Sequence, residues 1–542
     1  MPAIQLDRSL VLHNKEKGEE IMGKLQNIIW CMSLGLSGTA MATNPDISAY
    51  FLSGPQAPFG TPGYYASIDQ LEMLSRSIAS NKSSFNKLML SFVQPSYRIY
   101  QPGSLECTGL FGYTCDNVLL SEAIDRKGKK PRNATDDFVR LRNVISELKS
   151  NGVDTYLAVG GWNFSCIPEY YDATVGAPNS CGPEGEVYDS FPNPLTGDRF
   201  DSQISGVDAD TVYNNIVQLT YSLGAAGIDL DYEEFWHADL NAFSWNLTPD
   251  SIQPPTTNIN YINNDELMSL GKGDQVYNND MTLRPGADTV PRIMPATVDK
   301  FAAIMRSIYT AIDEVAPELK LTVAAPATGG IPNMSANWGT VATQSSIYGG
   351  AWWGGNLYGL LYNTAVKYPD LINRLSHIGL MSYDLSETDC GADSEIPCDL
   401  AGQVDFYYGQ YMTWMKSDNS LRQGNAIIKG APNYATSSLQ PLKVLVTPPI
   451  TVGYEVGKPA TGNLPLTTSE LTKIVTQSAK YGHFGMIMWD LYKDKRYDEP
   501  NHGWNDEWAR PIDVLQTVCS ANGLTGDMYD CNSNIPESRR RR

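Results

Sequence analysis

Short apolar runs rich in β-branched residues alternate with longer amphipathic stretches from about residue 85 to the end of the chain. The amphipathic stretches repeat apolar residues at spacings of three and four, which is helical periodicity, and many begin at a Thr or Asp that can cap a helix. Repeated strand–helix units build a parallel sheet, because each helix returns the chain to start the next strand in the same direction. The pattern therefore predicts an α/β fold.

Eight such units would close the sheet into a TIM (β/α)8 barrel. Seven strands stand out clearly, at 87–94, 154–162, 227–234, 319–327, 377–385, 450–457 and 484–490. We place the eighth strand near Val-Leu-Leu-Ser-Glu-Ala, residues 118–123. In this fold the loops after the strands hold the active site. The longest of them, after strands 3, 4 and 5, cover 163–207, 235–296 and 328–370.

Three segments follow from this interpretation: an N-terminal segment of residues 1–84 that covers the barrel, the barrel at 85–518, and a C-terminal extension at 519–542 that ends in four arginines. Residues 22–42 resemble a signal peptide with cleavage after Ala42. Either Met22 starts an exported form, or this stretch is a retained helix. No run reaches the ~20 apolar residues of a transmembrane span.

Composition narrows the class of partner. The formal net charge of −20 disfavours nucleic acid and anionic membrane surfaces, and indicates a neutral or cationic partner. The 30 Tyr and 11 Trp residues suit a neutral sugar polymer, because flat aromatic faces stack on pyranose rings, although most of these aromatics should lie in the core.

Cysteine spacing indicates an oxidising compartment. Eight of the nine cysteines form four close pairs, while Cys31 stands alone. The pairs are Cys107 with Cys115, Cys166 with Cys181, Cys390 with Cys398, and Cys519 with Cys531. Four local disulfides are the simplest pairing, and they predict a secreted protein whose export route stays open. Reduced surface thiols are the alternative, and a zinc site is disfavoured because no pair has ligand spacing beside another.

The segment 227–233 places carboxylates at every second residue of a predicted strand. Asp229, Asp231 and Glu233 should point to one side, with about 6.6 Å between successive members. We expect the two aspartates to hold negative charge near Glu233 and to raise its pKa, so that Glu233 stays protonated as a general acid. A Mg or Ca site and ordinary strand carboxylates are the rival interpretations.

These residues resemble the strand-four signature of glycoside hydrolase family 18, the chitinases, which runs Asp-Gly-x-Asp-x-Asp-x-Glu. Here Ala226 replaces its first aspartate. Three more family motifs recur in order: Ala158-Val159-Gly160-Gly161 before Trp162, where the family's serine is lost, Met381-Ser382-Tyr383-Asp384, and Met488-Trp489-Asp490. The resemblance spans about residues 85–515.

The resemblance implies retaining, substrate-assisted hydrolysis of β-1,4-linked N-acetylglucosamine, without a protein nucleophile, a metal or another cofactor. Glu233 would protonate the glycosidic oxygen, and the sugar's own acetamido oxygen would attack to give an oxazolinium ion. Asp231 would orient the acetamido N–H, and Asp229 would share its charge or proton with Asp231. Tyr383 would bond the acetamido oxygen, and Trp489 would form the floor under the reacting sugar.

Further residues are candidates for substrate binding. Met381 and Asp384 would line the site beside Tyr383. Tryptophans in or near the long loops could stack on sugars, some of them instead packing in the core: Trp162, Trp236, Trp338, Trp352 and Trp353.

Chitin or chitooligosaccharides are therefore the expected substrates, cleaved internally. Only about ten residues separate Gly457 from a helix near Thr468, which leaves no room for the α+β insertion that walls the cleft of processive family members. Two other functions stay open: an endo-β-N-acetylglucosaminidase acting on N-glycans, and a sugar-binding, lectin-like subunit. A chain with such cysteines and no ordinary leader also resembles chitinases that leave bacteria within insecticidal toxin complexes.

Overall fold

The computed structural model describes residues 44–55, 65–66, 68–113, 133–161, 191–195, 209–233, 295–327, 351–353, 356–385, 387, 396–415, 448–459, 463–482, 484–497 and 504–536. The chain divides into two compact units, Met1–Asn44 and Pro45–Arg542. The first unit, including the leader-like stretch 22–42, lies outside the described residues except for Asn44. All that follows concerns the second unit.

Eight parallel strands close into a barrel, and their order around it is their order along the chain. The strands are β1 (Ile47–Leu52), β2 (Lys87–Val93), β3 (Asp154–Gly160), β4 (Gly227–Asp231), β5 (Lys320–Pro326), β6 (His377–Met381), β7 (Ile450–Glu455) and β8 (Met486–Trp489). Strand β1 pairs with β2 on one side and with β8 on the other, which completes the ring. The predicted TIM barrel is confirmed.

The first strand corrects the sequence analysis. Ile47–Leu52 lies inside the segment 1–84 that was expected only to cover the barrel, so the barrel begins well before residue 85. The strand expected at 118–123 is not one of the eight, and those residues lie outside the described part of the chain. Ile-Ser-Ala-Tyr-Phe-Leu is too short and mixed to stand out, and only its pairing with two neighbours identifies it as a barrel strand.

Helices surround the barrel and follow most of its strands. They are α1 (Ile68–Asn81), α2 (Ala134–Ser150), α3 (Ala209–Leu223), α4 (Pro295–Val315), α5 (Leu360–Lys367), α6 (Pro369–Asn373), α7 (Leu400–Met415), α8 (Thr468–Ser478), α9 (Lys493–Tyr497) and α10 (Pro511–Asn522). Local chemistry sets several of their ends. The Asn133 side chain accepts the backbone N–H groups of Thr135 and Asp136 at the start of α2, and Gly523 ends α10 in a left-handed conformation.

Two hydrophobic layers hold the fold together. The larger lies between the strands and the helices and includes residues such as Leu90, Ile228 and Ile304. The smaller lies inside the barrel. Its buried members are Tyr50, Met89, Phe92, Tyr156, Ala158 and Ile487, and Leu52, Ala226, Met381, Tyr383 and Trp489 pack against them. The barrel interior is therefore a filled core. Five members of this inner layer are aromatic: Tyr50, Phe92, Tyr156, Tyr383 and Trp489.

The connection between β7 and α8 is short, as expected. Glu455 ends the strand, and the Thr467 side chain caps the helix by accepting the backbone N–H of Glu470. An α+β insertion domain does not fit between them. The long loops expected after β3, β4 and β5 lie mostly outside the described residues. Among the described helices, none has the length and apolar character needed to cross a membrane.

One of the predicted disulfides is confirmed between Cys519 in α10 and Cys531 in the C-terminal extension. Cys107 and Cys398 are also disulfide-bonded, and their partners lie outside the described residues. Beyond Cys519 the chain returns to the barrel, where the Tyr529 hydroxyl donates to the carbonyl of Gly152 at 2.7 Å. The domain boundary at residue 519 stays a prediction.

A charged cluster lies at the amino-terminal end of the barrel, opposite the predicted active site. Lys87 at the start of β2 donates to Asp46 at 2.8 Å, and its ammonium lies 3.3 Å from Nδ1 of the buried His377 at the start of β6. Burial lowers the pKa of Lys87, and the charge of Asp46 opposes this shift. Burial also lowers the pKa of His377, with Lys87 adding to the effect. The ammonium thus depends on Asp46 for charge compensation.

We expect Asp46→Asn to destabilise the barrel, because it leaves a buried ammonium beside a neutral imidazole. The loss should be about 2–3 kcal/mol, less than for a fully enclosed pair because Asp46 is partly exposed. Urea denaturation at neutral pH measures it. Asp313→Asn is the control, since Asp313 pairs with Arg374 on the surface and its loss should cost less than about 1 kcal/mol. Equal losses in the two variants would contradict the assigned role of Asp46.

Candidate active site

Strand β4 carries the carboxylates. Asp229 and Asp231 lie on Gly227–Asp231, and Glu233 follows the strand by two residues. Asp229 is paired in register with Ala158 of β3 and Thr322 of β5. Asp229 and Asp231 are 1% and 4% exposed, whereas Glu233 is only partly buried. The column therefore runs from the barrel interior to its carboxyl-terminal mouth.

Two hydroxyl groups hold Asp229. The Tyr50 hydroxyl on β1 donates to Oδ2 at 2.5 Å, and the Thr322 hydroxyl on β5 donates to Oδ1 at 2.5 Å. Burial raises the pKa of Asp229, and these two bonds oppose the shift by favouring the charged form. Sequence analysis did not identify either donor, because the barrel brings them from distant strands.

Asp231 is hydrogen-bonded to Glu233, and burial raises its pKa well above the usual range, with the charges of Glu233 and Asp229 adding to the effect. The sequence analysis expected both aspartates to carry negative charge beside Glu233. That expectation stays a prediction. Desolvation raises the pKa of both aspartates, and more for Asp231, which lacks the hydroxyl donors of Asp229. A proton is thus held within the Asp231–Glu233 pair.

The Oδ1 atom of Asp231 is buried and has no hydrogen-bond partner among the described residues. Such an atom costs free energy unless a ligand or water reaches it. Asp231 therefore has one carboxyl oxygen that is hydrogen-bonded to Glu233 and one that is buried and unsatisfied.

Tyr383 lies two residues beyond the end of β6 and interacts electrostatically with Asp231 and Glu233. Burial raises the pKa of its hydroxyl well above the usual range, and the charges of Asp231, Glu455 and Glu233 add to this. Its ring packs against the inner aromatic layer, as does the side chain of Met381. The hydroxyl is therefore neutral, and it faces the carboxylate column.

Trp489 ends β8 and is partly exposed. Phe92 stacks on it with ring centroids 5.5 Å apart and an interplanar angle of 25°. Tyr50 meets its edge at 5.5 Å, the same Tyr50 that holds Asp229. The structure thus connects Trp489 to the carboxylate column through a single side chain, Tyr50.

Gly160 ends β3 and Gly161 follows it, with φ angles of 102° and 77°, a region that side-chain-bearing residues rarely adopt. A Cβ atom at Gly160 would lie 2.2 Å from the carbonyl oxygen of Asp231, and one at Gly161 would lie 2.4 Å from the Phe92 ring. The Gly161 N–H donates to the Asp231 carbonyl at 2.8 Å. This Gly-Gly pair lets β3 approach the backbone that presents Asp231.

Glu455 and Lys493 join the site without having been predicted. Glu455 ends β7, is paired in register with Trp489 and is 3% exposed. It accepts a hydrogen bond from the Lys493 ammonium and shares a hydrogen bond with Asp384. A carboxylate at a strand end was the available signal for Glu455. No sequence feature indicated Lys493, because this residue lies beyond β8 in a polar stretch.

The remaining predicted residues are described only in part. Trp162, Trp236 and Trp338 lie outside the described residues. Trp352 and Trp353 belong to a short strand, Ala351–Trp353, of which only the backbone is described. Among the residues that the structure describes, no group of three His, Cys, Asp or Glu side chains is arranged to hold a metal ion. The described part of the site offers carboxyl groups, a neutral phenol and a partly exposed indole ring.

Comparison with solved structures finds chitinases and an endo-beta-N-acetylglucosaminidase. The chain is similar to a GH18 chitinase from Pseudoalteromonas aurantia, with 10% identity, 84% of this chain and 96% of that chain covered, and a TM-score of 0.36. It is also similar to a family GH18 chitinase from Chromobacterium violaceum, with 12% identity, 88% of this chain and 83% of that chain covered, and a TM-score of 0.39. A third similar structure is a fungal endo-beta-N-acetylglucosaminidase from glycosyl hydrolase family 18, with 13% identity, 88% of this chain and 98% of that chain covered, and a TM-score of 0.37.

A search with protein-family models and a search of curated proteins both find no match. With identities and TM-scores this low, the similarity to solved structures carries no inference about activity. The barrel itself rests on the strand order, and any function must be argued from the side chains at its mouth.

Removing the hydroxyl of Tyr50 should raise the pKa of Asp229. Tyr50→Phe deletes a donor that favours the charged carboxylate and leaves the ring against Trp489 in place. The pKa can be followed by carbon NMR of labelled aspartate side chains as pH is varied. Tyr156→Phe is the control, because this hydroxyl in the same inner layer does not donate to Asp229 in the structure. An unchanged Asp229 titration in Tyr50→Phe would refute the assigned role.

Proposed function

We propose that this protein is a chitinase: it hydrolyses β-1,4-linked N-acetylglucosamine polymers with retention of configuration, by substrate-assisted catalysis through an oxazolinium intermediate. One observation carries the proposal. A column of Asp229, Asp231 and Glu233 rises to the mouth of a closed barrel, where Tyr383 and Trp489 face it. The pattern resembles that of glycoside hydrolase family 18, and the following steps are argued from this chain's own side chains.

Proton donation falls to Glu233. It is the outermost carboxyl of the column, partly exposed at the mouth, so a glycosidic oxygen can reach it. Its hydrogen bond to Asp231 gives it access to a proton held in the pair. When the bond to the leaving sugar breaks, Glu233 is left ionised, and it then activates the water that completes hydrolysis.

The attacking group is the substrate's own acetamido oxygen. The unsatisfied Oδ1 of Asp231 can accept the acetamido N–H, which orients the group and stabilises the positive charge that develops on it. The neutral hydroxyl of Tyr383 can donate to the acetamido oxygen and hold it below the anomeric carbon. Asp229, kept in place by Tyr50 and Thr322, stabilises Asp231 as charge moves between them.

Trp489 would form the floor under the sugar ring. Phe92 and Tyr50 fix its orientation, so the sugar binds a surface that is already in place. The short connection between β7 and α8 supports an open groove, and hence internal cleavage. The Cys519–Cys531 disulfide supports an extracellular destination.

Glu233→Gln should abolish turnover of labelled chitooligosaccharides, because the amide keeps the shape of the side chain but has no acidic proton. We expect a fall of at least about a thousandfold in kcat, with chitooligosaccharide binding retained. Glu314→Gln is the matched control, since Glu314 is exposed on α4 and its substitution should leave kcat unchanged. Full activity in Glu233→Gln would overturn the assignment.

Tyr383→Phe should reduce kcat about a hundredfold with little change in KM, because the hydroxyl acts on the acetamido oxygen as charge develops. The assay should use chitooligosaccharides of increasing length, with product sizes read by mass spectrometry. Products of mixed length support internal cleavage, whereas a single disaccharide product argues against it. Release of glycans from a high-mannose glycoprotein instead would identify an endo-β-N-acetylglucosaminidase, and binding without turnover a lectin-like subunit.

A further inference from the structure

Glu455 lies in an unusual environment at the end of β7. Its side chain is almost fully buried and accepts a hydrogen bond from the ammonium of Lys493, itself buried beyond the end of β8. The Lys493 ammonium also donates to the carbonyl oxygen of Lys458 at 2.7 Å. Lys493 therefore links the segment after β8 to the end of β7 and to the segment that follows it.

Glu455 also shares a hydrogen bond with Asp384. Two carboxyl groups can form such a bond only when one of them carries a proton. Burial raises the pKa of Glu455 to about 8, the charge of Asp384 adds to the shift, and Lys493 opposes it. Near neutral pH the proton therefore lies on Glu455, which donates to Asp384.

This bond acts on the predicted active site through the backbone. Asp384 directly follows Tyr383 and has a φ of 56°, so the chain turns sharply at this point. The Ser382 hydroxyl donates to the carbonyl of Gly453 at 3.1 Å and accepts the Gly453 N–H at 2.8 Å, which joins the ends of β6 and β7. A hydrogen bond that fixes the Asp384 side chain therefore also restricts the position of the adjoining Tyr383.

The negative charges around Tyr383 also favour the protonated form of Glu455. The charges of Glu455, Asp231, Glu233 and Asp384 all bear on the Tyr383 hydroxyl. When Glu455 loses its proton, two adjacent carboxylates repel each other beside Lys493, and Tyr383 lies beside an additional negative charge. The arrangement around Tyr383 is then less stable.

We propose that Glu455 is a positioning residue: in its protonated form it donates a hydrogen bond to Asp384, and it thereby holds Asp384 and Tyr383 in the arrangement that catalysis requires. Lys493 fixes Glu455 against this pair. The inference rests on the proposed chitinase function and adds to it a residue outside the carboxylate column. Titratable groups that act on Glu455 include Lys493 and Asp384, and the charge of Glu455 acts in turn on Tyr383.

The test compares wild type with Glu455→Gln, whose amide donates to Asp384 at every pH. Rates on a chitooligosaccharide are measured at pH 7 and pH 9. The ratio of variant rate to wild-type rate should be close to one at pH 7 and should rise about tenfold by pH 9, because wild type loses the Glu455 proton over that range. This ratio cancels the titration of Glu233, which affects both proteins alike.

Two further variants sharpen the result. Glu455→Leu removes the donor and should lower kcat at pH 7 about tenfold. Lys493→Met removes the cation that opposes the rise in the pKa of Glu455, so its rate relative to wild type should also increase at pH 9. Lys495→Met is the matched control, because Lys495 lies nearby and pairs with Asp494 instead. Its rate ratio should stay at one at both pH values.

The outcomes are separable. If wild type does not turn over the substrate, the proposed function fails, and this inference fails with it. If wild type is active and the Glu455→Gln ratio is the same at pH 7 and pH 9, the positioning role alone is overturned. Thermal melting of each variant at both pH values excludes unfolding as the cause, and Glu455→Gln keeps the test decisive even where Glu455→Leu does not fold.

Discussion

Closure of the parallel barrel is the constraint on which the rest of the structure depends. Because all eight strands run in the same direction and close on themselves, their carboxyl ends meet at one rim. Asp231, Met381, Glu455 and Trp489 each end a strand, so residues that are far apart in the chain lie on the same rim. The last link is β1, which joins β8 to β2 and brings Tyr50 into contact with Asp229.

Desolvation dominates the electrostatics of this rim. Burial is the largest cause of the raised pKa at Asp229, Asp231, Tyr383 and Glu455 alike. Local hydrogen bonds then set these groups apart: two hydroxyl donors oppose the shift at Asp229, and Lys493 opposes it at Glu455. The structure thus holds protons at two places, one in the Asp231–Glu233 pair and one between Glu455 and Asp384, with Tyr383 facing both.

Much of the fold could be predicted from sequence because strand and helix patterns are local. Seven of the barrel strands and the short β7–α8 connection lie where the patterns predicted. Strand β1 was missed, since six residues carry little periodicity and the pairing that defines the strand involves residues 87–91 and 486–488. The site residues also fall into two groups. Asp231, Glu233, Tyr383 and Trp489 belong to recognisable sequence motifs and could be predicted, whereas Tyr50 and Lys493 belong to no such motif.

The sequence by itself determined an α/β chain with carboxylates alternating along one strand, because the two-residue period of a strand and the helical spacing of its neighbours are properties of adjacent residues. Tertiary structure alone decided which hydroxyls hold Asp229, which oxygen of Asp231 is left unsatisfied, and that Glu455 meets Asp384. Those contacts follow from barrel closure and burial, which act between residues distant in the chain and therefore leave no local pattern.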